Sequence, residues 1–208
     1  MNAALIEQPL AIEQLIESIS NEQLRHKIKV LHRHSIEHWG FNTQPASVRY
    51  HHFWEGGYRS HVGEVMNIAV QLFEDVQSRY FSKENPMSCS RDDVVVAAYI
   101  HDLYKLTRYR RIESSEADGS NGAQNEEQKP IFEFIKKPRI EDTALVVSRC
   151  VKGAGYVPSE LILHAVTMHH GGWSDVQASV YSYGDRLEGL AAILAAADMI
   201  SGFMLGRR

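Results

Sequence analysis

Apolar residues recur at helical spacing along most of this chain. Ile12, Leu15, Ile16, Ile19, Leu24, Ile28 and Leu31 form one stripe over residues 10–34, and Gly40 to Pro45 interrupts it. Val62, Val65, Ile68, Ala69, Leu72 and Val76 form a second stripe, predicting a helix from Tyr58 to Tyr80 that Asn85 and Pro86 punctuate. A third helix is predicted from Arg91, capped by Ser90 or Asp92, to about Leu106. The β-branched run Val94–Val96 lies inside it, flanked by Ala97 and Ala98, so helix is favoured over strand. Further helices are predicted near 140–152, 159–170 and 186–205. Pro158 and Ser159 suit the start of the second of these, and Gly171-Gly172 its end. Strand signals are weak; a short extended piece at 181–183 is the main candidate. The predicted fold is an all-α bundle of roughly six to eight helices.

One segment breaks the pattern. Residues 112–130, IESSEADGSNGAQNEEQKP, have few apolar side chains to bury and read as a mobile loop insertion. Across the whole chain, 44% hydrophobic and 23% charged residues are ordinary for a globular protein and exclude a disordered or collagen-like one. The 208 residues suit one domain at about 150 residues per domain. No apolar run reaches the roughly 18 residues of a membrane span. The acidic start, MNAALIEQPLAIEQLIE, is a poor leader, and Cys89 and Cys150 alone do not make a disulfide framework. A cytoplasmic protein is expected. The net charge of −4 does not favour binding of a long polyanion.

Histidine changes the picture: there are 11. His61 opens the second helix, His101-Asp102 ends the third, and Asp198 sits inside LAAILAAADMI. A buried, unpaired carboxylate costs several kcal/mol, on the order of a lost ion pair, and a metal ion is one good compensator. Imidazole nitrogens and carboxylate oxygens suit Mn, Fe, Co, Ni or Zn. HAVTMHHGG adds His164, His169 and His170; on a helix His164 and His169 are about 140° apart and need not share a face. They are candidates for a second metal or for protonating a leaving group. Lys105, three residues after Asp102, with Arg108, Arg110 and Arg111, points to a phosphate-bearing substrate. Arg59 and the pair His51-His52 are further candidates for the pocket. His32, His34 and His38, near the end of the first helix, read as solvated.

In order, these pieces resemble the HD-domain metal-dependent phosphohydrolase superfamily. The matching segments are HHFWEGGYRSHVGEV (51–65), AAYIHDLYKL (97–106), TMHHGGWS (167–174) and LAAADMIS (194–201). The first looks most like the HD domain of bacterial 3′-to-5′ exoribonucleases and of small phage-encoded HD hydrolases. The resemblance implies one HD domain over 1–208, with 1–50 a helical extension. It implies His61, His101, Asp102 and Asp198 as ligands of a divalent transition metal, with Lys105, His169 and His170 beside them as catalytic groups. Arg59, Lys105, Arg108 and His52 are the expected substrate-binding residues. The expected reaction is hydrolysis of a nucleotide phosphate ester or anhydride by metal-activated water. Mononucleotides are expected to react faster than oligonucleotides, because the first 50 residues read as helix and leave no separate nucleic-acid-binding domain. The alternatives are a 3′-to-5′ nuclease on single strands, with Trp39, Phe41, Tyr50, Phe53 and Trp54 for base stacking, a nucleotide-sensing module, or a two-iron oxygenase.

Overall fold

The computed structural model describes residues 8–48, 50–112, 132–135, 143–169 and 189–206. The expected pieces at 113–130 and 181–183, and Gly171-Gly172, lie outside the described residues. Seven α-helices are present among those described: α1 (Ile12–Glu17), α2 (Glu22–Trp39), α3 (Gly57–Tyr80), α4 (Arg91–Ile100), α5 (Thr143–Gly153), α6 (Glu160–Met168) and α7 (Gly189–Ile200). The protein is mostly helical, as its periodicity predicts.

Two expected boundaries are corrected. The stripe over 10–34 is two helices. Asn21 Oδ1 accepts from the Leu24 amide at 3.0 Å and starts α2 afresh. The linker is fixed from outside: Asp92, at the start of α4, accepts from the backbone N–H groups of Ser20 and Asn21 at 2.9 and 3.0 Å. The third helix ends at Ile100 rather than Leu106; the chain then turns at His101-Asp102 into a 3₁₀ helix, Leu103–Thr107. Its start is as expected: Ser90 Oγ accepts from the Asp93 amide while the Asp93 carboxylate accepts from the Ser90 amide at 2.8 Å.

A feature without a sequence signal is a two-stranded antiparallel hairpin, β1 (Tyr109–Arg111) and β2 (Phe132–Phe134), pairing Tyr109 with Phe134 and Arg111 with Phe132. Tyr109 and Phe132 are buried while the other strand residues face outward.

The core is one apolar cluster reaching from Ile12 to Ala197. Helix α3 packs most extensively against α4 and α7, and α6 packs against α7, α4 and α5. Val62, Val65, Met66 and Ala69 of α3 are fully buried, as are Val95, Val96 and Ala98 of α4; each Val contributes about 1.5–3 kcal/mol of burial. Because α3, α4 and α7 all run through this core, polar residues on their inner faces are forced together away from water. The N-terminal helices cover one side, with Ile16, Ile19, Ile28 and Leu31 in the same cluster. None of the described helices is long and apolar enough to cross a membrane.

Candidate metal centre

Three elements deliver the polar groups. His61 is on the first turn of α3, His101 and Asp102 follow α4, and Asp198 is near the end of α7. His61, His101 and Asp102 are fully buried, and Asp198 is 18% exposed at its side chain. His61 Nε2 lies 3.3 Å from His101 Nε2, 3.2 Å from Asp198 Oδ1 and 3.5 Å from Asp102 Oδ2. His101 Nε2 lies 3.4 Å from Asp102 Oδ2 and 3.8 Å from Asp198 Oδ1. Ligands about 2.1 Å from a common ion at tetrahedral or octahedral angles stand roughly 3.0–3.5 Å apart, so the spacing of these four side chains fits one divalent ion.

The hydrogen bonds set the tautomers in the sense that a metal needs. His101 Nδ1–H donates to the Ala98 carbonyl at 2.7 Å, which can only accept, so Nε2 carries the lone pair. His61 Nδ1 meets Ser201 Oγ at 2.9 Å. The Ser201 hydroxyl proton goes to Glu64 Oε2 at 2.8 Å, so Ser201 accepts from His61 Nδ1–H. Ser201 opens a turn of π-helix, Ser201–Leu205, an irregularity that often marks functional sites. The second oxygen of Asp102, Oδ1, is buried without a hydrogen bond, with His169 Nε2 3.7 Å away. It is Oδ2 that faces His61 and His101, so Oδ1 is left for a group beside the four-residue centre.

Electrostatics follows from the crowding. Burial alone would raise the pKa of Asp102, but Lys105 and His101 outweigh it and hold the carboxyl well below its usual range. Lys105 Nζ is 2.5 Å from Asp102 Oδ2, across the 3₁₀ turn whose Lys105 amide donates to the Asp102 carbonyl at 2.8 Å. Burial would lower His61, yet hydrogen bonds to Asp102 and Asp198 raise it. His101 is lowered by its burial. One histidine of the pair thus favours a proton and the other does not, because His61 meets both carboxylates while burial dominates at His101.

The remaining candidates divide. His169 is buried with its ring 5.1 Å from that of His101, whereas His164 on the same helix is exposed, as their offset allows. His170 lies outside the described residues. His52 is buried 5.2 Å from the His61 ring, and His51 stands 4.8 Å from it. Arg59 points away: it pairs with Glu13 at 2.8 Å and donates to Asn42 at 3.1 Å. Arg108 stacks over Tyr104 at 4.6 Å. His32 is not solvated, contrary to expectation; its Nδ1 meets Tyr99 Oη at 3.1 Å and its Nε2 meets Glu13 at 3.2 Å. Phe41 is buried, and Tyr50 and Phe53 are exposed.

Sequence reasoning missed Glu64 and Ser201 as parts of this centre. The available signal was spacing: Glu64 is three residues after His61 on α3, and Ser201 three after Asp198, each on the same face as its neighbour. The glycine pair before His61 has a steric reason. Gly56 adopts φ +79°, and a Cβ on Gly57 would stand 2.1 Å from the His52 carbonyl oxygen. His52 itself has φ 47°, a left-handed conformation costing about 1–2 kcal/mol for a non-glycine residue. Its backbone is clamped there by its amide donating to Gly206 and its carbonyl accepting from Ala46, both at 3.0 Å.

A helical core that brings two histidines and two aspartates to metal-ligand spacing is suited to a divalent metal ion. The HD domain model matches residues 58–202, most of the chain, and the chain belongs to this family, within the superfamily of metal-dependent phosphohydrolases. A curated relative, the dihydroneopterin 2′,3′-cyclic phosphate phosphodiesterase of Methanocaldococcus jannaschii, is 27% identical over 188 residues. That match covers 84% of this chain and 66% of the relative, so the chain spans just under two thirds of its length. No solved structure matches the chain significantly.

Proposed function

We propose that this protein hydrolyses a small phosphate ester of nucleotide type, with a cyclic phosphodiester the favoured form. The observation that supports this best is the convergence of His61, His101, Asp102 and Asp198, with Lys105 held on Asp102. Those four side chains would hold a divalent Mn, Fe, Co, Ni or Zn ion. Such an ion lowers the pKa of bound water and polarises a phosphoryl oxygen. The protein's own groups supply the rest. Asp102 has one oxygen for the ion and a second, Oδ1, to orient the attacking water. Lys105 is the cation positioned to offset charge developing on phosphoryl oxygens. His169, with Nδ1–H donated to the Val166 carbonyl, presents Nε2 toward Asp102 and is placed to serve the leaving oxygen or a second ion.

Two considerations favour a small diester. The cations beside the centre are few, because Arg59 is engaged by Glu13 and Arg108 by Tyr104. The relative's name brings in a cyclic phosphate on a pterin, a planar nitrogen heterocycle as a nucleobase is. A single-strand nuclease is the second reading, carried by exposed Tyr50 and Phe53. The test is a rate comparison, with each metal, on 2′,3′- and 3′,5′-cyclic nucleotides, nucleoside mono- and triphosphates and short oligonucleotides. Metal-dependent opening of a cyclic diester, stopped by chelation, is expected. Length-dependent shortening of oligonucleotides with no action on small esters would put the nuclease reading in its place.

A further inference from the structure

Glu64 stands at a fork. Its Oε2 accepts from Ser201 Oγ–H at 2.8 Å, and Ser201 in turn accepts from His61 Nδ1–H at 2.9 Å. The same Oε2 accepts from His52 Nε2–H at 3.0 Å. His52 Nδ1 then faces His51 Nδ1 at 3.1 Å, and a neutral His52 that donates through Nε2 must accept there. His51 therefore donates through Nδ1 and keeps its lone pair on Nε2. The His51 ring lies 4.8 Å from that of His61 and feels the charges of Asp102, Lys105 and Asp198. His51 converges with His52 and His61, but it is not in the group that His61 forms with His101, Asp102 and Asp198. The route from Glu64 thus begins at one candidate ligand and returns to the rim of the same centre. Holding His52 in that route requires its left-handed backbone and the absence of a Cβ at Gly206, which would stand 2.5 Å from His52 Nδ1. Backbone strain kept in place by its surroundings is what functional positions show.

We propose that Glu64 is a positioning residue that sets two histidine tautomers at once. Through Ser201 it turns the His61 lone pair onto the metal position. Through His52 it leaves His51 Nε2 as a hydrogen-bond acceptor toward the water or substrate hydroxyl held at the centre. The inference rests on the metal-centre reading above.

The experiment combines histidine tautomers with metal affinity. Long-range ¹⁵N–¹H correlation on the metal-free protein reads the tautomers; titration with Co²⁺ reads affinity. In the wild type, read at a pH above the raised pKa of His61, His51 and His61 are expected as Nδ1–H forms. Ser201→Ala should disturb His61 alone and weaken Co²⁺ binding about 10- to 100-fold, and Ser201→Thr should restore both. Glu64→Ala, which removes the acceptor oxygen common to both branches, should disturb His61 and His51 together, with the same loss of affinity. His51→Ala should keep Co²⁺ affinity while lowering kcat. Unchanged tautomers and affinity in Glu64→Ala and Ser201→Ala overturn the proposal, as does loss of Co²⁺ in His51→Ala, which would make His51 a ligand. Should Glu64→Ala not fold, the Ser201→Ala and Ser201→Thr pair decides the first branch and His51→Ala the second. A wild type that binds no divalent ion defeats the metal reading, while the tautomers of the metal-free protein still decide this one.

Discussion

Two clusters of buried histidine meet at α4, one at Tyr99 and the other at His101 just past its end, and burial alone does not tell them apart. Around His32, both ring nitrogens end on protein groups, Tyr99 Oη and Glu13 Oε1, and the ring packs edge-on against Phe41 at 5.0 Å. Every polar atom there has its counterpart, so the site needs nothing more. Around His61 and His101, each Nδ1 is tied off, to Ser201 and to Ala98, while the Nε2 atoms face each other and two carboxylates at 3.2–3.8 Å. Two bare lone pairs at 3.3 Å repel unless a proton or a cation lies between them. A buried histidine is structural when its second nitrogen finds the protein, and a ligand candidate when that nitrogen is left facing others of its kind.

The contrast is broken most severely at Asp102. Asp102→Ala should lose both bound metal and turnover, because it removes one candidate ligand and the partner of Lys105. A purified variant with stoichiometric metal and normal rates would show that the centre is assembled differently. Lys105→Ala should keep the metal and lower kcat/KM by about 10²-fold, the scale of one preorganised donor. Its metal-free form should lose more stability than its metal-loaded form, since the buried Asp102 charge then loses its nearest counterion; melting with and without metal checks this. On the other side, His32→Ala should cost about 1–3 kcal/mol of stability by leaving buried partners unmatched, with metal affinity unchanged. A drop in metal affinity there would dissolve the distinction between the two clusters.

Acidity separates them as well. The carboxylates raise His61 despite its burial, so in the metal-free protein it holds a proton to higher pH than an ordinary histidine. A metal must displace that proton. Affinity should therefore fall as pH drops below the raised pKa, by up to about tenfold per pH unit for one proton released. Calorimetric titration in buffers of differing ionisation enthalpy would count the proton. Affinity flat across this range would mean that the ring is already bare.

Helix placement was legible in the sequence because stripes and caps depend on local spacing, whereas the four candidate ligands, spread from His61 to Asp198, stood out by residue type and by their resemblance to the HD pattern. The α3 stripe and the caps at Ser90 and Ser159 are written within a few residues of where they act. What escaped depends on partners far along the chain. The break between α1 and α2 is enforced by Asp92, some 70 residues away, as |i−j| of 71 and 72 shows. The strands β1 and β2 have three residues each, too few for a period, and pair across |i−j| of 23 at Arg110 and Glu133. His32 reads as a helix-end histidine until Tyr99 and Glu13 are brought to it. Arg59 reads as a phosphate ligand beside His61, but the two-residue offset, about 200° around α3, points it away from His61 toward α1, where Glu13 takes it.

That last pair gives the mildest test. Glu13 is half-exposed, and partial burial would raise its pKa; the Arg59 guanidinium and His32 reverse this and lower it from 4.5 to about 2. A carboxyl depressed on folding stabilises the protein above the unfolded pKa, and that contribution disappears as pH falls through the folded value. Glu13→Gln should therefore lower stability at pH 7 by about 0.2–1 kcal/mol, the range of exposed ion pairs. The difference from the wild type should shrink between pH 4.5 and about 2. Denaturant melts at pH 7 and pH 3, compared between the two proteins, measure it. A deficit that stays the same at both values would mean that Glu13 acts by packing rather than by charge. Metal affinity should stay level in this variant, because the Glu13 carboxylate serves His32 and Arg59 rather than the centre around His61 and His101.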